Sequence, residues 1–195
     1  MSATVPLVLA STSVTRRQLL ERLGLPFELH APQVDEAPRD GETAQAMAER
    51  LALAKALAAA AHHPGRHVIG SDQVAVVDGR VLGKPGGRQA AARQLALASG
   101  RLMHFETAVC VVDGASGQAR IRRVPFEVQL RALSGAEIER YLDREQPFDC
   151  AGALRSEGLG VTLCRRMRGD DPTALLGLPL IALCELLREC GVQLP

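Results

Sequence analysis

Val5-Pro6-Leu7-Val8-Leu9-Ala10 runs into Ser11-Thr12-Ser13-Val14-Thr15-Arg16-Arg17-Gln18-Leu19-Leu20, and this junction decides the fold class. The apolar run suits a buried strand and is too short for a membrane span or a secretory leader. A hydroxyl-rich loop then opens a helix with Leu19, Leu20 and Leu23 on one face and Gly24 and Pro26 as its stop. Strand, loop and helix in this order are the building unit of an α/β sheet.

The pattern continues outward. Phe27–Ala31 reads as a second strand, and Thr43 caps an alanine-rich helix running to about Ala61, with Met47, Leu51, Ala54 and Ala58 as its inner stripe. His67–Gly70 and Val74–Val77 read as strand, interrupted at Ser71-Asp72-Gln73, before a hairpin at Asp78-Gly79 leads into Arg80–Leu82. Residues 88–99 form a helix closed by Gly100, and 102–112 and 118–133 a long hairpin. Ser134 and Glu137 make a capping box for a helix with Ile138, Tyr141 and Leu142 inside. Gly160–Arg165 reads as a strand, and Pro179 starts a last helix with Leu180, Leu183, Cys184 and Leu187 inward. The expectation is a long mixed sheet with helices on both sides. Without a repeat or a linker, residues 1–195 read as one domain with a weak boundary near residue 100.

Composition excludes several classes. A net charge of +1 gives no global field for nucleic acid or an anionic membrane. Aromatic residues at 3 % are too few for a single-strand-binding surface built on stacking. Neither nucleic acid nor membrane is therefore an expected partner. Five scattered cysteines without a C-x-x-C pair suit the reduced thiols of a cytoplasmic protein and argue against structural zinc. Lys55 and Lys84 are the only lysines among 23 basic residues, so each is a candidate for work that needs a compact point charge.

The candidates for chemistry follow. Ser11, Thr12 and Ser13 meet a helix N-terminus whose N–H groups attract anions. Arg16 and Arg17 stand where acids usually stand, which suits a phosphate between them; a plain cap followed by exposed arginines is the alternative. Asp35-Glu36 occupies a Pro-flanked loop. Asp72, inside an apolar strand, needs a metal, a cation or water, unless it is a turn aspartate. Gly83-Lys84-Pro85 fixes one lysine's backbone, and Lys55 on the long helix either reaches the same crevice or is solvated. The small-residue run Cys150–Gly160 lets backbone approach a ligand, with Glu157 placed to accept hydrogen bonds from it. Gly169-Asp170-Asp171-Pro172-Thr173 is either a turn before the last helix or part of a site rim. Walker, G-x-G-x-x-G, G-x-S-x-G and H-E-x-x-H patterns are absent, and His62 and His63 read as surface residues.

Ala10-Ser11-Thr12-Ser13 with Arg16-Arg17, Asp35-Glu36, Arg50-Leu51-Ala52 with Lys55, Gly70-Ser71-Asp72-Gln73, Gly83-Lys84-Pro85, Ser99-Gly100, Ala151-Gly152 and Gly177-Leu178-Pro179-Leu180 occur in order. Together they resemble the Maf family of nucleoside triphosphate pyrophosphatases, once named for septum inhibition, over about residues 6–190. The resemblance implies a fold like that of the inosine-triphosphate pyrophosphatases: a long twisted mixed sheet, two lobes and a central cleft. It implies hydrolysis between the α- and β-phosphates of a nucleotide, dependent on a divalent cation, Mg or Mn. By resemblance Asp72 is the proton acceptor and, with Glu36, the metal partner. Lys55, Lys84 and Arg16 neutralise the triphosphate, Ser11 and Ser13 cradle phosphate, and Thr15, Gln73 and Glu157 set base preference.

Gly70-Ser71-Asp72-Gln73, Ser156-Glu157-Gly158 and Gly169-Asp170-Asp171-Pro172-Thr173 resemble the branch acting on 7-methyl-GTP. Val14-Thr15 stands where that branch would carry a proline and a bulkier aromatic residue. The alternatives are the dTTP/UTP branch and a nucleotide-binding regulator of cell division with little turnover. A homodimer is an assembly the resemblance leaves open.

Overall fold

The computed structural model describes residues 7–195, so Val5 and Pro6 of the first expected strand lie outside it. The order is β1 (Leu7–Ala10), α1 (Val14–Glu21), β2 (Phe27–His30), α2 (Ala44–Ala60), β3 (His67–Val77), β4 (Arg80–Leu82), α3 (Arg88–Ala98), β5 (Leu102–Val112) and β6 (Ala119–Leu130). There follow α4 (Gly135–Glu145), two short 3-10 turns (Ala151–Ala153 and Leu159–Leu163), β7 (Cys164–Arg168) and α5 (Leu180–Glu189). The strands form one mixed sheet in the order β2-β1-β3-β5-β6-β7, with β4 on β3. β1 runs parallel to both β2 and β3, as the helical crossovers α1 and α2 require. β4 and β7 pair antiparallel with β3 and β6.

The chain forms two compact units. The first holds the residues up to Asp72, Thr107–Val124 and Asp171–Pro195; the second holds Gln73–Glu106 and Pro125–Asp170. The chain thus passes between them at four places rather than at a single cut.

In the first unit, strand alternation sorts side chains into layers. Leu7, Leu9, Ile69, Val109 and Val111 point to the face covered by Leu19 and Leu20 of α1 and by α5. Ala182 and Leu186, rather than Cys184, complete the buried side of α5. Gly70 points to the opposite face, against Ala52 and Ala56 of α2. Helices therefore lie on both sides of the sheet, as expected. In the second unit the Tyr141 hydroxyl on α4 donates to Ala153 O at 3.2 Å and accepts from Arg155 N at 3.0 Å.

Four readings need correction. The inner stripe of α2 is Ala48, Leu51, Ala52, Lys55, Ala56 and Ala59, while Met47, Ala54 and Ala58 are only half-buried. The stripe is set by the face whose Ala52 and Ala56 lie against Gly70. β3 runs unbroken through Ser71-Asp72-Gln73, because its buried polar side chains find partners without leaving the ladder. The strand expected at Gly160–Arg165 begins only at Cys164. Upstream, Gly158 N and Gly160 N both donate to Arg155 O, at 3.2 and 3.0 Å, and curl the chain away from sheet pairing. The second strand of the long hairpin likewise stops at Leu130.

The approach of α2 to β3 depends on the missing side chain at position 70. A methyl group there would lie 2.3 Å from Ala52 O and 2.6 Å from Ala56 N, both main-chain atoms with little room to move. Gly70→Ala should therefore destabilise the fold by about 1–3 kcal/mol, lowering Tm by about 2–4 °C per kcal/mol. A melting curve that superimposes on that of the wild type would contradict this packing.

Candidate functional site

β1 ends at Ala10, which pairs with Gly70; β3 continues to Ser71 and Asp72. The loop at Ser11–Ser13 thus leaves the sheet beside those residues, at the carboxyl ends of parallel strands, where open α/β sheets bind ligands. Ser11 Oγ accepts from Ser13 N at 3.1 Å, and Ser13 Oγ caps α1 by accepting from Arg16 N at 3.3 Å. Thr15, in the first turn, is half-buried.

Arg16 and Arg17 part company. Arg17 is exposed and pairs with Glu21 one turn on, at 2.9 Å. Arg16 turns inward, and its Nε donates to Gly177 O at 2.7 Å. No carboxylate among the described residues forms an ion pair with Arg16. Its surroundings depress its pKa by desolvation, opposed by the charges of Asp72 and Glu36, although a guanidinium stays protonated. Among the described residues its side chain hydrogen-bonds through Nε alone.

Lys55 is buried, with its side chain 8 % exposed, so it does not sit on a solvated helix face. It is carried there because Ala52 and Ala56, on either side of it along the helix, touch Gly70. Its Nζ lies 2.6 Å from Asp72 Oδ1 and 2.7 Å from Glu36 Oε1. Asp72 is buried and Glu36 half-exposed. One ammonium joins two carboxylates from different elements, which its tetrahedral donors can do and a planar guanidinium does less readily.

The loop bearing Glu36 has its own anchor. Arg50 Nε and Nη2 grip Glu42 at 2.5 and 2.7 Å, and Nη2 also donates to Ala37 O at 3.1 Å. The Arg50 hydrogen bond is the main reason the Glu42 carboxyl falls to about 2.

The first unit thus brings together Ser11, Ser13, Arg16, Glu36, Lys55 and Asp72. Gln73, Lys84 and Glu157 belong to the second unit. Lys84 is exposed in the loop after β4, with no ion pair among the described residues. Glu157 is exposed in a turn, 3.5 Å from Ser156 Oγ. Sequence reasoning overlooked Ser71, whose hydroxyl lies 2.7 Å from Ala108 O and 2.9 Å from Gly177 O. The Gly177 signal was present as a Gly-Leu-Pro-Leu motif, but nothing in it revealed a carbonyl shared by Arg16 and Ser71.

The family described as "Maf-like protein" matches residues 6–190. The chain belongs to the Maf family. Among curated proteins, it is 56 % identical to a 7-methyl-GTP pyrophosphatase of Xanthomonas oryzae pv. oryzae, covering 97 % of this chain and 98 % of that one. It is 54 % identical to that of Aromatoleum aromaticum, covering 97 % of each chain. With that of Alcanivorax borkumensis the identity is 50 % over 98 % of each. Among solved structures, the Staphylococcus aureus Ham1 protein aligns with a TM-score of 0.45 at 16 % identity, covering 64 % of this Maf chain and 71 % of that chain. Among the described residues of this Maf protein, no helix is long and apolar enough to cross a membrane.

The ion pair makes its own prediction. Lys55→Met strands a buried carboxylate and should cost about 3–5 kcal/mol in denaturant unfolding, whereas Lys55→Met with Asp72→Leu should regain most of that loss. Equal stability of the single variant and the wild type would show that Asp72 does not depend on Lys55.

Proposed function

We propose that this Maf protein hydrolyses 7-methyl-GTP between its α- and β-phosphates, releasing the nucleoside monophosphate and pyrophosphate. It is a nucleotide pyrophosphatase, a hydrolase acting on an acid anhydride. The observation that carries the reading is the Arg16 guanidinium: fixed at Nε by a main-chain carbonyl, without a carboxylate partner, and set within the electrostatic reach of Asp72 and Glu36. Its open Nη pair suits two phosphate oxygens.

In the proposed reaction a water oxygen attacks the α-phosphorus. The bond from that phosphorus to the bridging oxygen breaks, and pyrophosphate leaves. Asp72 takes the water proton. Lys55 holds the Asp72 and Glu36 carboxylates in place and adds positive charge near the polyphosphate. Ser11, Ser13 and the N-terminus of α1 receive phosphate oxygens. Lys84 adds a second point charge, and Thr15, Gln73 and Glu157 govern base choice; these roles rest on the family resemblance.

The residues fit a divalent cation. Lys55 Nζ lies against one oxygen of Asp72 and one of Glu36, which brings the two carboxylates to a single ammonium. No group of three His, Cys, Asp or Glu side chains able to hold an ion occurs among the described residues. One or two carboxylates completed by substrate phosphates and water are the donor set magnesium or manganese takes. Asp72 and Glu36 would hold the ion, which would neutralise charge developing on the phosphates. A cytoplasmic location suits such a substrate.

The test is pyrophosphate release from a panel of nucleotides in ¹⁸O-water with magnesium or manganese. The expected result is preference for 7-methyl-GTP over UTP and dTTP, with the label in the monophosphate. Glu157→Gln should erode that preference by roughly 5- to 150-fold, the worth of one or more unpaired polar groups in a closed site. Preference for UTP or dTTP in the wild type would assign the sister branch. No turnover of any nucleotide would favour a binding protein.

A further inference from the structure

We propose that Asp171 and Thr173 are positioning residues for Arg16, acting through the carbonyl of Gly177. The proposal rests on the reading of Arg16 as a phosphate ligand.

α5 starts without a capping side chain of its own. Its N-cap residue is Pro179, which makes no side-chain cap hydrogen bond. The first N–H groups of a helix nevertheless need acceptors. They find them seven and ten residues upstream along the chain, since Leu180 N donates to Thr173 Oγ1 at 2.7 Å and Ile181 N to Asp171 Oδ2 at 2.8 Å. Thr173 in turn donates to Asp171 Oδ1 through its hydroxyl at 2.6 Å and its main-chain N–H at 2.9 Å. Asp171 is 3 % exposed and accepts three of these four hydrogen bonds. A buried carboxylate is tolerable with such donors and with the positive end of the helix facing it.

These bonds tie both ends of residues 173–180 together. Inside the closed segment Leu176 N donates to Thr173 O at 3.1 Å and Gly177 N to Ala174 O at 3.0 Å, while Thr107 Oγ1 holds Ala174 O at 2.9 Å from β5. Gly177 adopts φ +95°, a conformation glycine accepts without strain. That turn aims its carbonyl at Arg16 Nε, 2.7 Å away, and at Ser71 Oγ, 2.9 Å away. A methyl group on Gly177 would come 3.4 Å from Arg16 Nε. Fixing Nε fixes the plane of the guanidinium, and with it the direction in which the Nη pair points. The neighbour of Asp72 thus shares an acceptor with Arg16, which locks the phosphate ligand to the strand that carries the proton acceptor.

The test compares kcat and KM for pyrophosphate release from 7-methyl-GTP in Thr173→Val, Thr173→Ser and Asp171→Asn, each made with Arg16 intact and with Arg16→Ala. With Arg16 intact, Thr173→Val and Asp171→Asn should lower kcat/KM roughly 10- to 100-fold, as small misplacements of a positioned group do. Thr173→Ser, which keeps the hydroxyl, should restore it. With Arg16→Ala in place, the same substitutions should change kcat/KM less than about 2-fold, since residues acting through one another are not additive. Equal losses in both backgrounds overturn the proposal and leave Asp171 and Thr173 as stabilisers of α5. If Arg16→Ala itself retains wild-type efficiency, the phosphate reading of Arg16 fails first. Thermal melting of each variant identifies any that no longer folds. Should Asp171→Asn be lost in this way, Thr173→Val, nearly equal in volume to the wild type, decides alone.

Discussion

The close approach of α2 to β3 at Gly70 is the constraint on which the site depends. With no side chain at that position, main-chain atoms of Ala52 and Ala56 come within reach of the strand. Lys55, lying between them on the helix, is turned into the interior toward the middle of β3. There it meets Asp72, and the loop carrying Glu36 supplies the second carboxylate. A buried ammonium and a buried aspartate are each costly alone and tolerable together. Packing and chemistry are therefore one feature: the small residues that let the helix approach are what make the charge pair obligatory.

Two arginines next to each other in sequence show how the same residue type is divided between tasks. Arg17 faces solvent and holds Glu21, a contact worth little energetically. Arg16 spends one N–H on a main-chain carbonyl and none on a carboxylate within ion-pair distance. An arginine anchored by a neutral acceptor keeps its full charge for an incoming anion. The main-chain carbonyl that does this belongs to a segment closed by Asp171 and Thr173, so the orientation of the guanidinium is set by a helix cap remote in sequence.

Much of this was legible in the sequence, and the reasons differ by element. Strand–helix alternation and strong caps at Thr43 and Ser134 are local signals, and α2 and α4 begin where those residues place them. The scarcity of lysine pointed correctly to Lys55 as more than a surface cation. What local reasoning missed is tertiary. A polar triplet at Ser71-Asp72-Gln73 looks like an interruption until Lys55 and main-chain carbonyls are supplied as partners, after which the strand runs through it. The stripe of α2 differs from the expected one because an alanine-rich helix offers little contrast between its faces, and contact with Gly70 selects the face carrying Ala52 and Ala56. Asp171 and Thr173 were visible as a turn before a helix; that they hold the turn bearing an arginine's acceptor depends on contacts more than 150 residues apart in sequence, Arg16 to Gly177.

In the proposed reaction the carboxylate brought against Lys55 performs the chemistry. Asp72→Asn keeps the shape of the side chain and removes its basicity. The kcat for pyrophosphate release from 7-methyl-GTP, measured on a variant whose circular dichroism matches the wild type, should fall about 10²-fold or more, the usual worth of a general base. Wild-type turnover by folded Asp72→Asn would contradict the account and leave the Lys55–Asp72 pair a structural feature.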